Sequence, residues 1–191
     1  IDFVSNVPPL VSTEFTPSPH IPNLYSQYLN HEGIIYKCEY FVNPLAPAKM
    51  IETDVLKRDF TVNGIYCDSE GHIIDPTGLG LLDLQHRIIR SIVSSRVSIN
   101  EDPIRILRAI KLMLKGFRPT HELEYAIFQW RAETPLNQGH INAVCSKLIS
   151  SFPPAALLFH FKRYQILEKM FQLSIDGLTD PEIFMNLSAC I

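Results

Sequence analysis

Two short constellations hold the side chains with the most chemistry in them. The first is Arg58-Asp59-Phe60-Thr61-Val62-Asn63. On an extended strand positions 59, 61 and 63 share one face, and Phe60 and Val62 share the other. An arginine, a carboxylate and an amide in a row can hold a sugar hydroxyl and a phosphate together. An ordinary amphipathic strand with an Arg–Asp pair accounts for the same spacing. The second constellation runs from Glu101 and Asp102 through Arg105 and Arg108 to Lys111. On a helix the three basic residues recur at i+3 and form one stripe. Ile104, Leu107, Ile110 and Leu114 lie along another side, toward a core. Asp102 stands one turn before Arg105, at the helix start. Capping plus a surface ion pair worth about 0.3–0.5 kcal/mol is one reading. Base recognition is the other. A carboxylate accepts from an exocyclic amine and a guanidinium donates to a ring nitrogen. Adenine (N6 amine beside N1) and cytosine (N4 amine beside N3) both suit one Asp–Arg pair. Guanine and uracil present the reversed edges, and such paired contacts discriminate by about 1–3 kcal/mol each. Arg108 and Lys111, further along the stripe, would then meet phosphates.

These side chains need a fold to carry them, and the composition supports one. The chain has 191 residues, 46% of them hydrophobic and 19% charged, which supplies a core and excludes a disordered chain. Its longest apolar run is a few residues, far short of the ~20 that a spanning helix needs, so no membrane partner is expected. The opening Ile1-Asp2-Phe3 carries no start Met, basic region or apolar region of a secretory signal. Cys38, Cys67, Cys145 and Cys190 fit neither a CxxC zinc pattern nor a disulfide-dense domain. They read as reduced thiols of a cytoplasmic protein. A net charge of −3 excludes a wholly electrostatic nucleic-acid binder. Between Arg87 and Arg118, however, eight Lys/Arg face two acids. That segment reads as a meeting point for something anionic, or as a solvated basic helix face.

The element pattern is α+β. Residues 7–30, rich in Pro and Ser, read as an irregular connector. Ile34 to Val42 reads as a strand and Met50 to Lys57 as a short helix. Phe60 to Cys67 is expected to be a second strand, with His72 to Asp75 returning beside it after the Asp68-Ser69-Glu70-Gly71 turn. Leu81 to Leu84 reads as a helical turn and Arg87 to Val93 as a last strand. Near residue 97 the character changes. Pro103 to Gly116 is expected to be a helix, with Asp102 as its cap, Pro103 at its first position and Gly116 as its stop. Further helices are expected over about 121–132, 137–151 and 155–172, punctuated by Pro135, Pro153-Pro154 and Pro181. The order is a partial α+β unit, then an all-helical one.

RDFTVNGIY, then DPTGLGLLDLQHRIIRSI, then EDPIRILRAIKLMLKGF, in that order, resemble the bacterial-type (class II) family of CCA-adding tRNA nucleotidyltransferases and poly(A) polymerases. The likeness is close over residues 57–118 and looser over 136–173. It implies a nucleotidyltransferase head with a mixed, partly antiparallel sheet over 1–97, its N-terminal part incomplete. A helical neck and the start of a body would follow over 98–191. It further implies that Arg58, Asp59 and Asn63 belong to the motif that contacts ribose and phosphates. Asp102 and Arg105 match the pair that selects the incoming base, and Arg108 a further nucleotide-binding arginine. Lys111 stands where the family usually has another arginine; it keeps the charge and loses the bidentate geometry. The Gly78-Leu79-Gly80-Leu81 run departs from the family's paired glycines. Asp2 resembles the second carboxylate of the catalytic, metal-binding DxD motif, whose first member would lie just before Ile1. Glu39 resembles a third acidic position seen in poly(A) polymerases.

The implied cofactor is Mg²⁺. The implied reaction is template-independent addition of AMP, with or without CMP, from ATP or CTP to an RNA 3′ end, of tRNA or mRNA. Without the first DxD carboxylate this polypeptide is expected to be weak or inactive by itself. The rival reading is a non-catalytic or split-enzyme module of the same family that binds nucleotide or RNA without turnover. Other signals are weaker. The seven histidines show no HExxH pairing, and no P-loop or full dinucleotide fingerprint is present. Tyr125, Phe128 and Trp130 read as helical core, or as surfaces for stacked RNA bases.

Overall fold

The computed structural model describes residues 2–5, 16–17, 24–31, 34–42, 47–68, 70–132, 136–174 and 176–190. Contacts divide the chain into two compact units, Ile1–Lys57 and Arg58–Ile191.

The first unit is a four-stranded mixed sheet and a helix. Its strands are β1 (Asp2–Ser5), β2 (Thr16–Pro17), β3 (Leu24–His31) and β4 (Ile34–Val42), in the spatial order β1-β4-β3-β2. β1 runs parallel to β4, while β3 pairs antiparallel with both β4 and β2. Helix α1 (Pro47–Val55) follows. β4 spans the residues that its β-branched and aromatic content predicts. The irregular connector expected over 7–30 is corrected, since β2 and all but the last residue of β3 fall within it. Leu24–His31 mixes polar and apolar residues on both of its alternating sets, so no period-2 signal marks it. Eight register pairs with β4, from Leu24↔Phe41 to His31↔Ile34, make it a strand.

The second unit begins with a single 3-10 turn, Thr61–Asn63. Strands β5 (Tyr66–Cys67) and β6 (Ile73–Ile74) form a small antiparallel pair. Helix α2 (Gly80–His86) leads into β7 (Ile88–Ile89), which pairs parallel with β8 (Arg118–Pro119). Between those strands lie α3 (Ser95–Glu101) and α4 (Ile104–Leu114). Helices α5 (His121–Gln129), α6 (Gln138–Ser151), α7 (Pro154–Arg163), α8 (Ile166–Phe171) and α9 (Asp180–Cys190) complete the unit. No helix among the described residues is long and apolar enough to cross a membrane.

α4 is the centre of this unit because its apolar residues nearly encircle it. Ile106, Leu107, Ala109 and Ile110 are fully buried and share one core with Ile99, Leu123, Ile127, Ile141, Leu157 and Phe161. The Asp102 carboxylate accepts from the Ile104 amide at 3.1 Å, satisfying a donor at the helix start. Gly116, at φ +88°, adopts the left-handed turn that stops the helix, as expected.

The same core explains where the compact units part. A boundary was expected at 97, where the sequence changes character. Phe60 and Ile89 are buried in the cluster built on α4, so residues 58–97 pack with the helices. The long helix expected over 155–172 is broken at Gln165, whose left-handed backbone (φ 56°) starts α8. α3 was not expected at all; its SRVSINE sequence has no strong apolar period.

Two smaller features yield tests. Cys145, in α6, is buried in the core, and burial pushes its thiol up to about 12. We predict that a maleimide labels exposed Cys67 in the folded chain, while Cys145 reacts only on unfolding. Mass spectrometry after pulse labelling reads this, and early modification of Cys145 would contradict it. Glu124 of α5 accepts from Arg163 Nη2 at 2.7 Å and from Tyr164 Oη at 3.1 Å, tying α5 to the end of α7. The Arg163 hydrogen bond holds the Glu124 carboxyl below its ordinary range, although burial works against it. A lowered folded pKa means that the unfolded chain binds more protons, so this link stabilises above the ordinary Glu range. Its contribution falls away as pH drops through the folded value. Arg163→Gln is therefore expected to reduce stability at neutral pH and flatten its decline in acid. Equal acid slopes for the two proteins in urea melts would refute the assignment.

Candidate functional site

The site is built on the turn after Arg58. This segment was expected to be a strand with Asp59, Thr61 and Asn63 on one face, and the structure corrects that. Phe60 makes one antiparallel bridge to Ser91, and the chain then closes into the 3-10 turn. The turn brings Asp59 and Asn63 together and sends Thr61 elsewhere. Asp59, 4% exposed, accepts at Oδ1 from the Asn63 Nδ2 and the Phe60 amide, each at 2.8 Å. Its Oδ2 lies 3.4 Å from Arg108 Nη1 on α4. The Arg58 guanidinium sits 5.9 Å from the centre of the Tyr66 ring, within cation–π range.

Thr61 points into the protein and donates to Asp83 Oδ2 at 2.7 Å. Asp83 is fully buried and takes a bidentate grip from Arg90, Nε to Oδ2 at 2.9 Å and Nη2 to Oδ1 at 3.2 Å. The hydrogen bond to Asp83 raises the Arg90 pKa against the opposing effect of burial. This pair clamps the turn from behind, through α2 and β7. The glycine run before α2 has a physical reason despite its departure from the paired pattern. Gly78 sits at φ +66°, and a Cβ on Gly80 would lie 2.7 Å from the Thr61 carbonyl oxygen. α2 is thereby pressed directly onto the turn. Asp83 and Arg90 escaped the sequence reading of the site, which had set Thr61 on one face with Asp59 and Asn63. The available signal was a lone acid inside the apolar run Leu81-Leu82-Asp83-Leu84, which has to be paired if it is buried.

The basic stripe on α4 is not a single face. Three residues advance a helix by about 300°, so a row at i+3 drifts by about 60° per step. Arg105 turns inward and is 9% exposed; Arg108 is about half exposed and Lys111 exposed. The Arg105 Nη1 donates to Ser98 Oγ at 2.7 Å and to the Ser98 carbonyl at 3.2 Å, with Glu101 Oε2 at 3.7 Å. Ser98 is itself buried, and sequence reading had not marked it. Asp102, half-buried in extended backbone, begins the helix one turn before Arg105. Asp59, Asn63 and Arg108 are thus joined by contact, and Asp102 and Arg105 open the helix that carries Arg108. No contact links Lys111 to this group among the described residues.

Asp2 and Glu39 belong to the first unit. They are direct register partners in the parallel β1–β4 pairing. Among the described residues no group of three or more His, Cys, Asp or Glu side chains is arranged to hold a metal ion.

A mixed sheet followed by a turn-clamped helical unit, with a carboxylate, an amide and arginines gathered at one helix, defines an α+β nucleotidyltransferase head with helical neck and body. Comparison with known proteins agrees. The profile of the Poly A polymerase head domain matches residues 30–90. The Multifunctional CCA protein of Xylella fastidiosa (strain M23) is 33% identical over 136 residues, covering 67% of this chain and 32% of the relative. That of Vibrio vulnificus (strain CMCP6) is 44% identical over 81 residues, covering 40% of this chain and 19% of the relative. The crystal structure of the Bacillus stearothermophilus CCA-adding enzyme in complex with CTP superposes with a TM-score of 0.51 at 29% identity, over 70% of this chain and 35% of that one. The chain belongs to the family of CCA-adding enzymes and poly(A) polymerases. It spans about a fifth to a third of the length of these curated relatives.

Proposed function

We propose that this chain carries the nucleotide-selecting part of a template-independent RNA nucleotidyltransferase. It would add AMP, and CMP where CTP is accepted, to RNA 3′ ends. The observation that carries the reading is the Asp59–Arg108 contact, because it brings the first motif to the helix on which Asp102 and Arg105 begin the second. Asp59, steadied by Asn63, takes a ribose hydroxyl, and Arg58 and Arg108 meet phosphates. Asp102 accepts from the exocyclic amine of adenine or cytosine, and Arg105 donates to the neighbouring ring nitrogen. Lys111 contributes charge further along the helix. The CTP bound by the Bacillus stearothermophilus relative supports a nucleotide at such a site.

The residues present suit a divalent ion. Asp2 and Glu39 are opposed in register, and carboxylate oxygens are what Mg²⁺ takes. Asp2 and Glu39 would hold such an ion, and it would supply the charge that activates an RNA 3′-hydroxyl and stabilises a leaving pyrophosphate. The chain's own contribution is position and charge, with no covalent intermediate.

The test is incorporation of labelled ATP and CTP by the full-length gene product, on tRNA lacking its 3′ end and on a generic RNA. Addition to trimmed tRNA alone supports CCA addition, and runs of A on either RNA support polyadenylation. Nucleotide binding without incorporation would replace the enzyme reading with the non-catalytic module.

A further inference from the structure

A hollow in the helical unit is lined by none of the site residues named above. It is a cavity of about 560 Å³ between α3 and α5, a size that suits a single small ligand. Its walls come from both helices. Tyr125 is 67% exposed, the largest exposed fraction of any aromatic residue among the described ones. Trp130, 5% exposed, lines the cavity just after α5. The side chains of Arg96, Asn100 and Gln129 also line the cavity, and none of them has a polar partner among the described residues. The other charged groups are already engaged. Glu122 accepts from the Ser95 amide at 2.8 Å, and Arg131 donates to the Phe128 and Trp130 carbonyls at 2.9 and 2.7 Å.

We infer that this cavity binds one nucleotide of single-stranded RNA, with its base stacked on Tyr125 and its phosphate on Arg96. An exposed aromatic side chain and an unengaged guanidinium on the walls of one cavity supply the stacking and the charge that such binding uses. The amides of Asn100 and Gln129 each offer a donor and an acceptor to a base edge, whichever base is present. An apolar partner would leave those three polar groups buried without hydrogen bonds. The inference rests on the RNA-handling reading above and adds a subsite to it. Of the three aromatic residues in this stretch, the structure leaves Tyr125 to stack. Phe128 packs against Tyr164 at 5.0 Å between ring centres, and Trp130 is almost wholly buried.

Trp130 is the chain's single tryptophan, so the tryptophan fluorescence has one source, and it lies in the wall of this cavity. The full chain is titrated with an unlabelled single-stranded RNA hexamer, with the same sequence as a duplex, with ATP, and with inorganic phosphate. Saturable quenching by the hexamer is expected, weaker at higher salt. Tyr125→Ala should raise the midpoint about tenfold or more and Arg96→Gln several-fold, while Tyr125→Phe stays near the parent. Both side chains are exposed, so circular dichroism should show an unchanged fold. Quenching equal for hexamer and duplex, or for phosphate alone, would overturn the assignment. So would a midpoint indifferent to Tyr125→Ala, or no quenching at all. The readout needs no turnover. Incorporation without quenching removes this site and leaves the enzyme, whereas quenching without incorporation does the reverse.

Discussion

Arg105→Ala is expected to relax the choice of incoming nucleotide, raising GTP or UTP use relative to ATP or CTP by about 5- to 150-fold. That range corresponds to the 1–3 kcal/mol that one good bidentate contact discriminates. The prediction follows from a side chain held in place. Its Nη1 is gripped by both oxygens of Ser98, which restrains the plane of the guanidinium. Arg105→Ala also leaves the buried Ser98 hydroxyl without this partner, at a cost of about 1–3 kcal/mol in stability. Two further variants separate selection from folding. Arg105→Lys keeps the charge and loses the fork, so selectivity should suffer more than stability. Ser98→Ala keeps the arginine and releases its orientation, so selectivity should fall with a modest change in KM for the correct nucleotide. The measurement is kcat/KM for all four nucleoside triphosphates on one RNA. An unchanged order of preference in Arg105→Lys and Ser98→Ala would remove Arg105 from base selection.

Asp83→Ala is expected to cost about 3 kcal/mol of stability, more than any surface change in this chain. Removing one partner of a buried ion pair leaves the other uncompensated, which typically costs about 3–5 kcal/mol. The lower end applies because the Arg90 side chain is 38% exposed and water can replace part of what it loses. Thr61 also loses its acceptor inside the protein. A second consequence distinguishes this clamp from ordinary packing. Freed of Thr61, the 3-10 turn no longer presents Asp59 to Arg108, so nucleotide affinity should fall even at temperatures where the variant is folded. Urea unfolding gives the first quantity and ATP binding by calorimetry the second. A variant with near-native stability would show that Asp83 is paired without being needed. A destabilised variant with native affinity would confine its role to folding.

Much of this molecule is legible in its residues. β4 and α4 are marked by local patterns, a dense β-branched run for one and an apolar period with Asp102, Pro103 and Gly116 for the other. The three motifs and their order carried the family, and with it the residues to examine. Tertiary structure decided what those residues do. Strand β3 exists because β4 is beside it, and the turn at 61–63 exists because Asp83 and Arg90 are behind it. Asp83 lies 22 residues from Thr61, beyond a window along the chain, while β4 begins three residues after β3 ends and supplies the register that β3's own pattern does not. The i+3 stripe likewise predicts three basic residues on one face, while 3.6 residues per turn and a core around α4 rotate Arg105 inside and Lys111 out. Sequence determines which groups are available and where helices and central strands start. Which groups meet depends on burial, because a buried charge must find its partner wherever the fold has placed one.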